Sequence, residues 1–222
     1  SIIGSNDRVR VGAIGFSDRF RQALFPSFSN HYKELNFDIV AVSDLWNKRR
    51  NEGTDFLKEK IGHDIIGCRN NEELYNLKNV DAVFVATSDF QHALHAIEAV
   101  KAGCDAYVEK PFAETMEDNR AALKVIKASD RIVQIGSQRR SGANYQSAEQ
   151  FIKEGKFGAI TMVELTWNVN QPGRWRRPAL VAQLNEADTD WKRFLLNRPF
   201  EKWDPRKYLE YRLFWPYSSG LP

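Results

Sequence analysis

The chain has 222 residues, of which 42% are apolar and 27% charged. That balance excludes wholesale disorder and fits one large domain, or one domain and part of another. The net charge of +3 is the small difference between 32 basic and 29 acidic residues, too little to mark a nucleic-acid-binding surface. No apolar run approaches the roughly 20 residues that a membrane-spanning helix needs. The start, Ser1 to Asp7, has neither the basic nor the apolar stretch of a signal peptide. The expectation is therefore no membrane and no nucleic-acid partner, with a cytoplasmic location by default and export after removal of a leader left open. Cys68 and Cys104 have no ligand spacing around them; they are expected as small core residues, with no metal site.

Residues 9–14 read as a short apolar strand ending at Gly15. A helix is expected from about Arg19, broken near Pro26. Residues 37–42 are the second strand, ending in Ser43 and Asp44, and 46–61 a charged surface helix closed by Gly62. A short strand at 65–68 and one or two helical turns at 72–77 follow. Residues 82–86 form a strand too apolar to have a wet face. Residues 91–102 are a clear amphipathic helix, with Ala93, Leu94, Ile97 and Val100 on one face and Gly103 at the C-cap position. The strand at 106–108 leads into Glu109-Lys110-Pro111. Thr115 and Asp118 have capping-box spacing at the start of a helix over 115–129, and 131–136 is the sixth strand.

Strands alternating with helices at this spacing predict an α/β fold, with a doubly wound parallel sheet of Rossmann type over residues 1–140. Ligands on such sheets bind outside the carboxyl ends of the strands. Here those ends carry Gly15, Asp44, Thr87-Ser88, Glu109-Lys110-Pro111 and Ser137-Gln138.

After about Asn144 the texture changes. Residues 145–154 read as a helix capped by Gly155. Residues 159–168 alternate apolar and polar, which predicts a strand with one covered face. Beyond Gln171 the chain is rich in Trp, Arg and Pro with little periodicity. Residues 141–222 are read as the start of an α+β substrate domain. A lone strand and a long loop are expected to bury Trp167, Trp175, Trp191, Trp203 and Trp215 poorly. The chain is accordingly expected to fray or self-associate after about Gly158, as a fragment of a longer protein.

In the frame G-x-G-x-x-G the first strand supplies only Gly15; Ser17 stands where backbone must approach a pyrophosphate and Phe20 where helix must press against sheet. Asp18 would place negative charge at a helix start that otherwise attracts phosphate, and Arg19 could offset it. Asp44 can accept hydrogen bonds from the ribose hydroxyls of an adenosine, which favours NAD over NADP; Lys48, Arg49 and Arg50 weigh mildly the other way. Pro111 fixes the backbone at the end of the fifth strand, so Lys110 is aimed at the site edge, where a lysine partly removed from water can move a proton.

Ala86-Thr87-Ser88-Asp89-Phe90-Gln91-His92, Ala99-Val100-Lys101-Ala102-Gly103 and Tyr107-Val108-Glu109-Lys110-Pro111 together resemble the glucose–fructose oxidoreductase / inositol dehydrogenase / MocA family. Gly136-Ser137-Gln138-Arg139-Arg140 and Gly155-Lys156-Phe157-Gly158 extend the resemblance. The Trp-rich segments around Trp191 and Trp215 look like a branch with large C-terminal domains. The resemblance implies an NAD(P)-dependent oxidoreductase that transfers hydride between nicotinamide and a sugar, a cyclitol or a derivative. It implies Lys110 as catalytic residue. For cofactor binding it implies Gly15, Phe16, Ser17, Asp18, Arg19, Asp44, Thr87, Ser88, His92, Glu109, Lys110 and Gln138. Arg140, Trp175, Arg176 and Tyr217 are candidates for substrate contact, and the C-terminal domain for homo-oligomer formation. Ser17, Phe20 and Ser88 depart from the family pattern. The acid and histidine that the family uses for proton transfer have no counterpart before Pro222, so this chain alone is expected to be inactive. A family member that cleaves glycosides through bound NAD, and a non-catalytic nucleotide- or sugar-binding protein, remain the alternatives.

Overall fold

The computed structural model describes residues 8–166, 171 and 173–219; Ser1 to Asp7, Trp167 and Asn168 at the end of the expected strand, and Gly220 to Pro222 lie outside them. Six strands form one parallel sheet. They are β1 (Val9–Ile14), β2 (Phe37–Ser43), β3 (Ile66–Cys68), β4 (Ala82–Val85), β5 (Asp105–Glu109) and β6 (Val133–Gly136), in the order β3-β2-β1-β4-β5-β6. The order reverses between β1 and β4. Helices α1 (Phe25–His31), α2 (Asn47–Ile61), α3 (Asn71–Asn76), α4 (His92–Lys101) and α5 (Met116–Lys127) connect them.

The apolar run of β4 is explained by cover on both faces. Val83 and Val85 pack with Ala96, Ala99, Cys104 and Val108 on one side, while Phe84 packs with Phe20 and Phe28 on the other. Both cysteines are buried thiols in the first of these layers, and burial pushes each up to about 11. Thr115 caps α5 by accepting the Asp118 N–H at 3.1 Å, as its spacing predicts.

The first helix is not broken at Pro26. Phe20–Leu24 is a π turn in which the Phe25 N–H reaches the Phe20 carbonyl, and α1 continues from it with Pro26 in its first turn. The wider turn accommodates a residue that has no N–H to give and whose ring would crowd a regular helix.

Two regions follow the sheet. The arm, residues 143–166, consists of α6 (Ala143–Lys153), a turn with positive φ at Gly155 and Gly158, and an extended segment. None of α6 is buried, and residues 159–166 form no strand. Its apolar positions have nothing to cover them: Met162 is 78% and Leu165 92% exposed. Alternation predicts a face, but a strand also needs a neighbour for its backbone groups.

The strap, residues 173–219, corrects the expectation of a long loop that buries its tryptophans poorly. It contains three short helices, α7 (Pro178–Val181), α8 (Trp191–Leu195) and α9 (Pro205–Leu209). Trp191, Phe194, Leu195 and Tyr217 are buried in a cluster centred on Phe90 of the sheet domain, with Trp203 and Tyr208 packed against it. Phe194 meets Phe90 edge-on at 5.5 Å and stacks on Trp191 at 5.2 Å. Polar ties surround this apolar contact. Arg198 pairs with Glu114 at 2.6 Å and Asp118 at 3.5 Å, and Arg193 with Glu72 at 3.2 Å. Of the strap's tryptophans, Trp215 stays 80% exposed.

Candidate functional site

A cleft of about 720 Å³ opens at the carboxyl ends of β1, β2, β4 and β5, a size ordinary for a small-molecule site. The sheet edge forms one wall and the strap contributes the other, through Arg174, Trp175, Arg177, Tyr208, Tyr211 and Arg212.

At the end of β1 the chain turns at Gly15, whose φ is +86°. A Cβ there would stand 3.0 Å from the Ala86 carbonyl oxygen and from the Thr87 methyl, so only glycine lets this loop lie against the β4 loop. The Phe16 side chain turns away into the core beside Phe20 and Phe56. Its N–H donates to Asp44 Oδ2 at 2.9 Å. Ser17 Oγ accepts the Phe20 N–H at 3.2 Å, so this serine caps the helix in the place where a glycine is usual. Phe20 is fully buried against Phe84. Asp18 pairs with Arg21 at 3.3 Å and Arg49 at 3.4 Å.

Asp44, at the end of β2, also accepts the Trp46 N–H at 2.9 Å. Two of the roughly four lone-pair positions of its carboxylate are thus used to hold the loops, leaving two for a ligand. Burial raises its pKa, against the hydrogen bonds from Trp46 and Phe16 and the charges of Arg49 and Arg50.

After β4, Thr87 Oγ1 is buried without a hydrogen-bond partner among the described residues. Ser88, where the family has proline, has an N–H to give, and it donates this to Gln91 Oε1 at 3.1 Å. The Gln91 amide in turn donates to the Phe194 carbonyl at 2.7 Å. This departure from the family pattern therefore fastens the strap. His92 is 2% exposed. Its Nδ1 lies 2.7 Å from the Pro111 carbonyl and its Nε2 3.2 Å from that of Thr87. Burial holds its pKa down, against the pull of those carbonyls and of Asp89. The ring is a brace between the β4 and β5 loops.

At the end of β5, Glu109 is buried and takes Arg19 at 2.8 Å, joining the first loop to the fifth strand. Lys110 follows with an exposed side chain on the cleft, before a cis bond to Pro111. Gln138 lines the same end. The structure thus brings all twelve residues expected around a cofactor to one edge, although Phe16 is there through its backbone.

Of the four residues expected near a substrate, only Trp175 lines the cleft. Arg140 is exposed away from it. Arg176 pairs with Glu210 at 3.6 Å behind the wall. Tyr217 is 1% exposed inside the aromatic cluster, with its hydroxyl on Glu201. Its ring is held by Phe90, Trp191 and Phe194 and its hydroxyl by Glu201, a place in the core that its sequence motif could not reveal.

Several cleft residues escaped the sequence reading. Ser43 Oγ donates to Asn71 Oδ1 at 2.8 Å, and the Asn71 amide contacts His95 Nδ1 at 3.0 Å and Glu98 Oε2 at 2.9 Å. Burial works to raise the Glu98 pKa, but the bonds from His95 and Asn71 bring it down. Nothing in the sequence links Asn71 to His95. Arg212 carried no signal beyond the Arg-rich texture, whereas Arg174 and Arg177 stand out in the sequence only as a basic cluster around Trp175 of the kind that binds nucleic acid, a reading the small net charge sets aside.

A family profile described as oxidoreductase family, NAD-binding Rossmann fold, matches residues 9–137. The chain belongs to this family. Among curated relatives of this oxidoreductase-family chain, an inositol 2-dehydrogenase of Agrobacterium fabrum is 26% identical over 219 residues. That match takes in 96% of this chain and 59% of the relative. Among solved structures, the WlbA dehydrogenase of Chromobacterium violaceum, in complex with NADH and UDP-GlcNAcA, superposes with a TM-score of 0.62 at 19% identity, covering 70% of this chain and 42% of that one. The 3-ketoreductase KijD10 of Actinomadura kijaniata, in complex with NADP and TDP-benzene, gives 0.58 at 19% identity, over 67% and 43%. These two share the fold. The family chain described here spans little more than half the length of the inositol dehydrogenase it matches.

Proposed function

We propose that the cleft binds NAD and that the chain forms the cofactor-binding part of an oxidoreductase acting on a sugar, a cyclitol or a derivative. The observation that carries this is the spacing of chemistry along one cleft: a ribose-type acceptor, Asp44, at one end, the Gly15 turn in the middle, and Glu109-Lys110 at the other. The residues fit a dinucleotide. Gly15 allows close backbone approach, Asp44 keeps free acceptor positions, and the orphaned Thr87 hydroxyl lies between the two ends.

When bound, nicotinamide supplies a hydride acceptor or donor. The chain's own residues do the rest. Asp44 accepts the adenosine ribose hydroxyls and repels a 2′-phosphate, which favours NAD over NADP. Glu109, held by Arg19, fixes the end of β5, and His92 braces the following turn. Lys110 stands on the open cleft, where it can take or return the proton of a substrate hydroxyl. The apolar arm is where a second copy would pair. Inositol dehydrogenase relatives favour a cyclitol or sugar substrate over the alternatives of glycoside cleavage or a purely binding role.

Calorimetry tests the reading. NAD should bind more tightly than NADP, and Asp44→Ala should weaken NAD by about 1.5–3 kcal/mol, the scale of a hydrogen bond to a charged group. Tighter binding of NADP to the unaltered protein would overturn the Asp44 assignment.

A further inference from the structure

The glycine loop is poorly equipped to neutralise a diphosphate. Its serine already occupies the Phe20 N–H, its aspartate adds negative charge, and Arg19 is drawn off to Glu109. The strap carries two guanidiniums, those of Arg174 and Arg177, with no salt bridge among the described residues. Arg212 is anchored on Asp89 at 2.8 Å, beside the Tyr211 hydroxyl at 3.1 Å on the same oxygen. Asp89 directly follows Ser88 in the β4 loop, so Arg212 sits over the point where the strand order reverses, between β1 and β4. The guanidiniums of Arg212 and Arg174 both lie over the Trp175 ring, at 4.5 and 4.7 Å from its centroid. Arg177 Nη1 donates to the carbonyls of Arg174 and Arg176 at 3.0 and 2.9 Å, which folds this turn. Arg174 and Arg177 both line the cleft; the Arg177 N–H donates to Glu210 Oε1 at 2.6 Å, but neither guanidinium has a carboxylate partner among the described residues. The dinucleotide's diphosphate crosses such sheets at the switch point.

We propose that Arg174 and Arg177 bind the diphosphate of the dinucleotide from the strap side of the cleft, supplying the charge that the Gly15 loop lacks. Trp175 orients Arg174, and the Arg212–Asp89 pair fixes the height of the whole turn above the β1/β4 crossing. The proposal rests on the reading of the cleft as a dinucleotide site. It makes the strap part of the cofactor site, and it explains how a loop with one glycine can serve a family that binds NAD.

The test compares adenosine, ADP and NAD by calorimetry on the unaltered protein and on the Arg174→Gln/Arg177→Gln double variant, with matched melting temperatures as the folding control. The unaltered protein should prefer ADP to adenosine. The double variant should lose that preference by about tenfold or more, as charged hydrogen bonds are lost, with adenosine affinity unchanged and NAD falling alongside ADP. Arg174→Lys/Arg177→Lys, which keeps the charge and protects against collapse of the turn, should retain part of the preference and its sensitivity to salt. An undiminished preference for ADP in the glutamine variant would overturn the proposal. So would equal losses for adenosine and ADP. Failure of the unaltered protein to bind any of the three ligands would instead overturn the dinucleotide reading itself.

Discussion

The arm and the strap are both rich in large apolar side chains, yet one lies open and the other docks. α6 and the segment after it expose Phe151, Ile152, Phe157, Met162, Val163 and Leu165. The strap buries Trp191, Phe194, Leu195 and Tyr217 on Phe90. Hydrophobicity does not separate them; the partner surface does. The β4 loop offers the strap a buried ring, a carboxylate in Asp89 and an amide in Gln91, and α5 adds Asp118. Apolar burial supplies the attraction, and these polar ties set position and register. No comparable set faces the arm among the described residues.

The most direct way to break this contrast is Phe194→Ala. The ring is 4% exposed and contacts Phe90, Trp191, Tyr208 and Tyr217, so its loss should cost about 3–5 kcal/mol of strap docking. Proteolysis should then cut within 173–219, while 8–136 stays protected. Cleavage of both regions together would show that strap and sheet fold as one unit.

Asp89→Ala comes next. It strands Arg212 and removes an acceptor from Tyr211 and Ser218. A loss of roughly 1.5–3 kcal/mol in denaturant unfolding is expected, the scale of hydrogen bonds to a charged group. Because the cleft wall shifts with Arg212, NAD binding should weaken as well.

His92 sharpens the comparison through pH. Its folded pKa lies below the ordinary 6.5 because the ring is buried. The folded state therefore binds fewer protons than the unfolded one. The stability it contributes is complete above about 6.5 and is lost as pH falls through the lower folded value. His63 works the opposite way: its raised pKa stabilises at low pH and fades as pH rises. His92→Asn should flatten the acid loss measured by denaturant unfolding, and His63→Asn should steepen it. An unchanged profile in His92→Asn would assign the acid loss to other groups.

The smallest effect is expected in the arm. Met162→Ser with Leu165→Ser removes side chains that touch little, so unfolding should shift by less than about 0.5 kcal/mol. Self-association measured by light scattering should fall, because exposed apolar patches of this kind drive association. A large loss of stability would show that the arm packs in solution.

The sheet domain was legible in the sequence because its signals are local and repeated. Apolar runs at regular spacing, Gly62 and Gly103 at helix ends, and Thr115 at a cap each report on a few neighbouring residues. Even there the π turn at Phe20–Leu24 was hidden, since Pro26 signals a break whether a helix stops or widens. The row of special residues along the carboxyl edge was legible for the same reason, as strand ends are read from strands. The chain could not show that Tyr217 belongs to a core and Arg174 to a cleft, because both assignments depend on Phe90 and Asp89 more than eighty residues away. Sequence alone determined the doubly wound sheet and the row of special residues along its carboxyl edge. Only the tertiary structure decided that the strap closes over that row while the arm does not. Local propensity sets the elements, but docking follows from which distant surfaces match in shape and charge.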